Sequence, residues 1–252
     1  MQILHQIHSK NYDLRPKARN PIKYVIIHYT ELNFDDSVNI LCSQASKVSA
    51  HYLIRKDGAV FQLVGDFYRA WHAGKSKWKG QESLNNNSIG IEIENLGNEE
   101  FKDEQYKSLV ELCKILKNKY NIDQNDFIGH SDIATNRKID PGIFFNWKKL
   151  LKYNLGISFR NSDESYKKID LKPKNIINLR LSLSKIGYDI DISDENYTKD
   201  LSDTIRAFQL HFSPHSIEMQ GGLGYLKNLD NNFNWDSLSQ TALDNIQKLN
   251  IL

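Results

Sequence analysis

The stretch "SIGIEIEN", residues 88–95, constrains the fold more than any other part of the chain. Ile89, Ile91 and Ile93 alternate with Gly90, Glu92 and Glu94. A period of two puts the isoleucines on one face of a strand, and the glycine and both carboxylates on the other. One face must enter a core, while the other carries charge to a solvated surface or to a reaction centre. A solvated strand face is the ordinary reading of both Glu92 and Glu94.

Other elements fit around that strand. "YVIIHYT" (24–30) is an apolar run that closes on polar residues, as in a buried strand with His28 near its C-terminal end. "HYLIRKDGAVFQLV" (51–64) reads as a hairpin about Asp57-Gly58, a pair that accepts the positive φ of a tight turn. A short strand is expected near 126–129. Helices are expected at 36–46, at 103–120 and at 146–153; in the second, Tyr106, Leu109, Val110, Cys113, Leu116 and Tyr120 keep a helical period. Strands and helices interleave, so the fold class is α/β, with a mixed central β-sheet flanked by helices.

The period is lost over 157–175, which reads as a linker between a first domain at 1–156 and a small three-helix domain at 176–252. Ile176, Leu179, Leu183 and Ile186 mark the first of these helices, with Gly187 where a C-cap belongs. Leu201, Ile205, Phe208 and Phe212 mark the second, and Leu238, Leu243, Ile246 and Leu249 the third. Residues 213–232 read as a long loop.

Composition excludes several classes. A formal charge of +2 without a long basic run argues against a nucleic-acid binder. No run of about 20 apolar residues is present, so no transmembrane helix is expected. Cys42 and Cys113 are too few for a disulfide framework and read as buried thiols. The N-terminal stretch shows no signal-peptide apolar region and no lipobox cysteine, which leaves cytoplasm and periplasm of a bacterium both open. A monomer is the expected state.

The chemistry concentrates in "FIGHSDIATNRKIDPG", 127–142. His28 and His130 each sit at the end of an expected strand, where side chains can converge on one rim. Asp140 follows His130 by ten residues, and Asp140-Pro141-Gly142 implies a turn that can carry it back. Two imidazoles and a carboxylate suit Zn²⁺, which in catalytic sites keeps a fourth position open. Spacing alone leaves the alternative open: histidines held by ordinary hydrogen bonds.

"YVIIHYT", "VSAHYLIRKDGAVFQLV", "RAWHAGKSKWKG", "NNNSIGIEIEN" and "GHSDIATNRKIDPG" occur in this order. Together they resemble the zinc-dependent N-acetylmuramoyl-L-alanine amidases of the amidase-2 family, in its AmpD and AmiD branches, whose fold is shared with peptidoglycan recognition proteins. The resemblance covers about residues 20–152. It implies one Zn²⁺ per chain on His28, His130 and Asp140, with Glu92 and Lys138 as catalytic residues. It also implies peptidoglycan or muropeptides as partners, cut between N-acetylmuramic (or 1,6-anhydro-N-acetylmuramic) acid and L-alanine in cell-wall turnover and recycling. "ATNRK" departs from the family, which commonly has Pro-Gly or Pro-Asp before Arg-Lys. A third imidazole would leave Asp140 no role, so His51 and His72 stay outside the ligand set. His72, with Trp71 and Gly74, is expected to line the substrate groove, near the cations of "KSKWK" (75–79). His51 is expected to support the site from behind. "IINLRLSLSKIGYDI" and "TIRAFQLHF" resemble the three-helix peptidoglycan-binding domain of cell-wall hydrolases; a helical bundle that only caps the first domain is the bland alternative. A non-catalytic peptidoglycan receptor on the same fold is the rival function, and such receptors lack one or more ligands that are all present here.

Overall fold

The computed structural model describes residues 2–16, 22–158 and 165–249. It divides into two compact units. The first comprises Met1–Ser76, Ser83–His130 and Asp140–Ile157; the second comprises Lys77–Glu82, Ser131–Ile139 and Ser158–Leu252.

In chain order the first unit opens with β1 (Ile3–Leu4), β2 (Tyr12–Leu14) and β3 (Tyr24–Tyr29), followed by α1 (Phe34–Cys42) and the hairpin β4 (Tyr52–Ile54) and β5 (Val60–Gln62). β6 (Tyr68–Ala70) pairs antiparallel with β2. The short hairpin β7 (Lys77–Trp78) and β8 (Gln81–Glu82) belongs to the second unit. A 3₁₀ turn at Leu84–Asn86 then leads into β9 (Ser88–Ile93), α2 (Asp103–Tyr120), β10 (Phe127–Gly129), α3 (His130–Ile133) and α4 (Trp147–Leu151).

Six strands form one sheet in the order β1-β5-β4-β9-β3-β10. Only the β4–β5 pair is antiparallel, so the sheet is mixed as expected. Gly58 makes the hairpin turn at φ +84°, and a Cβ there would meet the Glu104 carbonyl oxygen at 2.8 Å. β4 and β9 lie in the middle, with β3 next to β9, and the residues of β3 are buried on both faces. Val25, Ile27, Ile89, Ile91, Ile93, Tyr52, Ile54 and Phe127 form one buried cluster with Leu109, Leu112, Cys113 and Leu116 of α2 and Trp147 and Leu150 of α4. On the other face Leu53 and Phe61 pack with Phe34, Val38 and Leu41 of α1.

α2 begins and ends for local reasons. Asp103 and Glu104 complement the positive N-terminal end, Lys117 and Lys119 the negative end. Gln105 Oε1 accepts from the Lys102 N–H at 2.9 Å, and Asn121 closes the helix in the left-handed region.

Some expectations change. α1 stops at Cys42, and Cys42 is half-buried, whereas Cys113 is fully buried. Glu94 is not solvated: its carboxylate is buried and accepts from the Phe34 N–H at 3.1 Å and the Lys56 N–H at 2.7 Å. Those amides have no partner inside their own elements, and a carboxylate beside a helix start satisfies them.

The second unit holds the three expected helices as α5 (Pro173–Ile186), α6 (Lys199–Phe212) and α9 (Ser237–Lys248), with Gly187 as the C-cap of α5. The expected loop at 213–232 contains two more, α7 (Pro214–Met219) and α8 (Gly222–Lys227). Each is under two turns, too short to show a period, and each buries one apolar anchor, Ile217 and Leu226. Asp132 is buried and accepts from Tyr188 Oη at 2.7 Å and from His211 Nδ1 at 2.8 Å. Residues 159–164 of the expected linker lie outside the described residues; beyond them Ile169 N–H donates to Trp235 O at 3.0 Å. No helix among the described residues is long and apolar enough to cross a membrane.

Asp66 ties the hairpin region to the end of α2. It is buried and accepts from Tyr52 Oη (2.5 Å), Tyr120 Oη (2.7 Å) and Lys119 Nζ (2.9 Å). Burial alone would raise its pKa, but the bonds from Tyr52, Lys119 and Tyr120 outweigh burial and lower it. A lowered folded value stabilises above the unfolded pKa of about 4, and the gain is lost as pH falls through the folded value. Asp66→Ala is expected to cost about 1–3 kcal/mol at pH 7, because it strands buried hydroxyls. Denaturant titrations at pH 7 and pH 3 should show the gap between variant and parent shrinking in acid. An equal gap at both values would remove the ionised carboxylate from the account.

Candidate metal centre

The sheet register assembles the site. β3 and β9 are parallel, with His28 level with Glu92. β3 and β10 are parallel, with Ile27 level with Gly129, so His130, the next residue, arrives beside His28. Partners in register share a face. Glu92, His28 and His130 thus stand in a row at the C-terminal ends of three adjacent strands. This is the face opposite the isoleucines of β9. Asp140 returns at a turn, with a cis bond to Pro141 and Gly142 at φ +80°.

Three donor atoms converge. His28 Nδ1 lies 3.0 Å from His130 Nδ1 and 3.0 Å from Asp140 Oδ2, and His130 Nδ1 lies 3.1 Å from that same oxygen. All three residues are buried. Among the described residues, no other group of His, Cys, Asp or Glu could hold a metal ion in this way.

The surrounding hydrogen bonds assign the imidazole protons. Ser88 Oγ–H donates to Leu84 O at 2.6 Å, so that oxygen can only accept from His72 Nε2, 3.2 Å away. Burial, with the neighbouring imidazoles, holds His72 well below its ordinary pKa and therefore neutral. Its Nδ1 is left as an acceptor, 3.1 Å from His28 Nε2. His28 then carries its proton on Nε2 and a lone pair on Nδ1. His130 Nε2 lies 3.2 Å from Ala73 O, which can only accept, so Nε2 carries a proton and the neutral ring has its lone pair on Nδ1. With both rings neutral, two nitrogen lone pairs and an anionic oxygen face one another at hydrogen-bond distance, and a bound cation would satisfy all three. Tetrahedral coordination with bonds of about 2.0–2.1 Å spaces its ligands about 3.3 Å apart, close to what is observed.

Other expected site residues fall as follows. Glu92 is half-buried on β9. Lys138, half-buried, belongs to the second unit, where its N–H donates to Ala134 O at 3.0 Å. Trp71 is half-buried and Gly74 exposed. His72, expected in the groove, is buried with its ring against His28. His51 is fully buried; its Nδ1 accepts from the Gly90 N–H at 3.0 Å and its Nε2 donates to Tyr68 O at 3.1 Å. Burial, helped by the Arg15 cation, pushes His51 down to about 3. Of the "KSKWK" cations, Lys77 is paired with Asp189 at 2.9 Å inside the second unit.

Two residues were not singled out by sequence. Arg15 donates to the Asp66, Asn85, Asn86 and Ser88 carbonyls at 2.8–3.1 Å, and fixes the start of β9 from the N-terminal segment. Asn85 Oδ1 accepts the N–H groups of His72 (3.1 Å) and Ala73 (2.8 Å). The "NNN" before β9 is the only signal for Asn85, and nothing local marks Arg15.

The chain is similar to known amidases. A family model described as N-acetylmuramoyl-L-alanine amidase matches residues 18–143. The N-acetylmuramoyl-L-alanine amidase AmiD of Escherichia coli (strain K12) is 34% identical over 212 residues, 77% of this chain and 75% of that protein. The 1,6-anhydro-N-acetylmuramyl-L-alanine amidase AmpD of Haemophilus influenzae is 36% identical over 165 residues, 58% of this chain and 89% of that protein. A solved complex of E. coli AmiD with the substrate anhydro-N-acetylmuramic acid-L-Ala-D-gamma-Glu-L-Lys superposes with a TM-score of 0.74 at 28% identity, covering 93% of this chain and 92% of that one.

Reconstituted with a divalent metal, the purified chain is expected to retain one ion through gel filtration. His28→Ala, His130→Ala and Asp140→Ala should each lose it, as read by atomic emission. A variant that keeps a full equivalent would remove that residue from the centre.

Proposed function

The chain belongs to the N-acetylmuramoyl-L-alanine amidase family, and from that premise we propose that His28, His130 and Asp140 hold one Zn²⁺ while Glu92 and Lys138 serve amide hydrolysis. The enzyme cleaves the amide between the N-acetylmuramic acid moiety and L-alanine in cell-wall turnover. The observation that carries the zinc reading is the convergence of two bare imidazole nitrogens and a carboxylate oxygen at 3.0–3.1 Å. That donor set, two imidazole nitrogens and one carboxylate oxygen, is of the kind that binds zinc in catalytic sites.

Bound there, zinc supplies a water whose pKa is lowered to about 7, and a Lewis acid for the carbonyl. Glu92, level with His28 on the neighbouring strand, accepts the proton of the attacking water and returns it to the departing amine. The water oxygen joins the acyl carbon, the C–N bond breaks, and the nitrogen leaves protonated. Lys138, two residues before Asp140, offsets the negative charge that develops on the carbonyl oxygen. Trp71 and Gly74 contact the substrate.

Anhydro-muropeptides are the better-supported substrate, because relatives named for the anhydro sugar and a complex with an anhydro substrate are both similar to this chain. Intact peptidoglycan stays within the same reading. The 1–156 portion supplies the chemistry, and 176–252 binds the wall polymer. Amide shifts confined to 176–249 on titrating the intact chain with a soluble glycan-peptide fragment would support that binding role; shifts confined to the first unit would remove it.

Glu92→Ala is expected to keep its zinc and lose about 10²–10⁴-fold in turnover. Lys138→Ala should lose about 10²–10³-fold. Mass spectrometry of anhydro-muropeptide and sacculus digests, with and without a chelator, reads both substrates at once. Free stem peptide released by Glu92→Ala at the parent rate would overturn the role of Glu92, and release unaffected by the chelator would overturn the metal.

A further inference from the structure

The segment Trp71–Gly74 supports both metal-site histidines in different ways. The His72 ring accepts from His28 Nε2–H, and the Ala73 main-chain carbonyl accepts from His130 Nε2–H. One side chain, Asn85, holds the peptide that delivers both, through two bonds to a single oxygen. The ring lies flat against β9 at Gly90, where an added Cβ would sit 2.3–2.6 Å from three of its atoms. Gly90 is level with Ile26, two residues before His28, so the glycine opens the space behind the metal face.

We propose that His72 and Asn85 are positioning residues that lock both histidine ligands in the form with a bare Nδ1, through Ser88 for one and the Ala73 carbonyl for the other. The proposal rests on the metal reading above and adds the device that selects the ligating nitrogen. An imidazole free to exchange tautomers spends part of its time with a proton where the metal must bind. Fixing the far nitrogen removes that loss and orients the ring, and losing such an outer partner costs about 10–100-fold in metal affinity.

The test measures the apparent zinc dissociation constant of the full chain by competition with a chromophoric chelator. It also records two-dimensional ¹H–¹⁵N spectra of the imidazoles, which show the protonated nitrogen. His72→Phe fills the same space with no acceptor, and is expected to weaken zinc by about 10–100-fold. His72→Gln, which can accept from His28 and donate to Ser88, should recover most of that loss. Asn85→Ala should weaken zinc, whereas Asn85→Asp keeps the accepting oxygen and should stay near the parent. In the metal-free protein His28 should carry its proton on Nε2, and in His72→Phe both tautomers should appear. Parent-like affinity and a single His28 tautomer in His72→Phe would overturn the proposal. If His72→Phe fails to fold, the Asn85 pair decides: equal zinc affinity in the Ala and Asp variants overturns the role of Asn85. A parent chain that binds no zinc would instead sink the metal reading itself, a distinct outcome.

Discussion

Two imidazole lone pairs and a carboxylate oxygen within 3.1 Å of one another form an arrangement that a protein interior does not tolerate unaided. Buried like-signed partial charges repel, and without water nearby the repulsion is weakly screened. The fold holds each group in place, and a cation bound among them would offset the repulsion. Much of the first unit can be understood as the means of holding them. Parallel pairing of β9, β3 and β10 fixes the spacing of Glu92, His28 and His130 to neighbouring strand positions. The apolar face of those strands, packed on α2 and α4, prevents a register slip, since a shift of one residue would turn the site residues into the core.

The polar face is built with the same economy. β9 has an alternation in which each polar position has a distinct task. Gly90 leaves room for the His72 ring, Glu92 stands beside His28, and Glu94 satisfies two amides at the edge of α1 and the hairpin. Both carboxylates are on one face, yet their surroundings differ. Glu94 accepts from two backbone amides, while Glu92 stands level with His28 on the neighbouring strand.

How much of this was legible in the sequence follows from which interactions are local. The buried strand at 24–29, the Asp57-Gly58 hairpin and the helix at 103–120 follow from period and turn chemistry, both properties of contiguous residues. The strand-end positions of His28 and His130 were legible for the same reason. β1 and β2 were not, being two and three residues long and stabilised by partners some fifty residues away. Arg15 acts only through carbonyls that the fold brings to it. The inward packing of the His72 ring was not legible, because it depends on the absence of a side chain at Gly90, eighteen residues away. Glu94 looked solvated because alternation cannot distinguish water from backbone amides as the partner of a carboxylate.

The ten-residue step from His130 to Asp140 raises a further constraint. The nine residues between them lose backbone entropy on ordering, which contacts along the segment must offset. Here the intervening residues have fixed partners within the second unit. Asp132 is gripped by Tyr188 and His211, and the Thr135 carbonyl accepts from the buried Arg206. The family's usual proline before Arg-Lys would stiffen such a loop through the backbone, and this chain has Thr135-Asn136 there instead. Tertiary hydrogen bonds can supply the rigidity that a proline gives locally. The departure from the family pattern therefore falls in a segment whose order comes from residues that follow it by more than fifty positions.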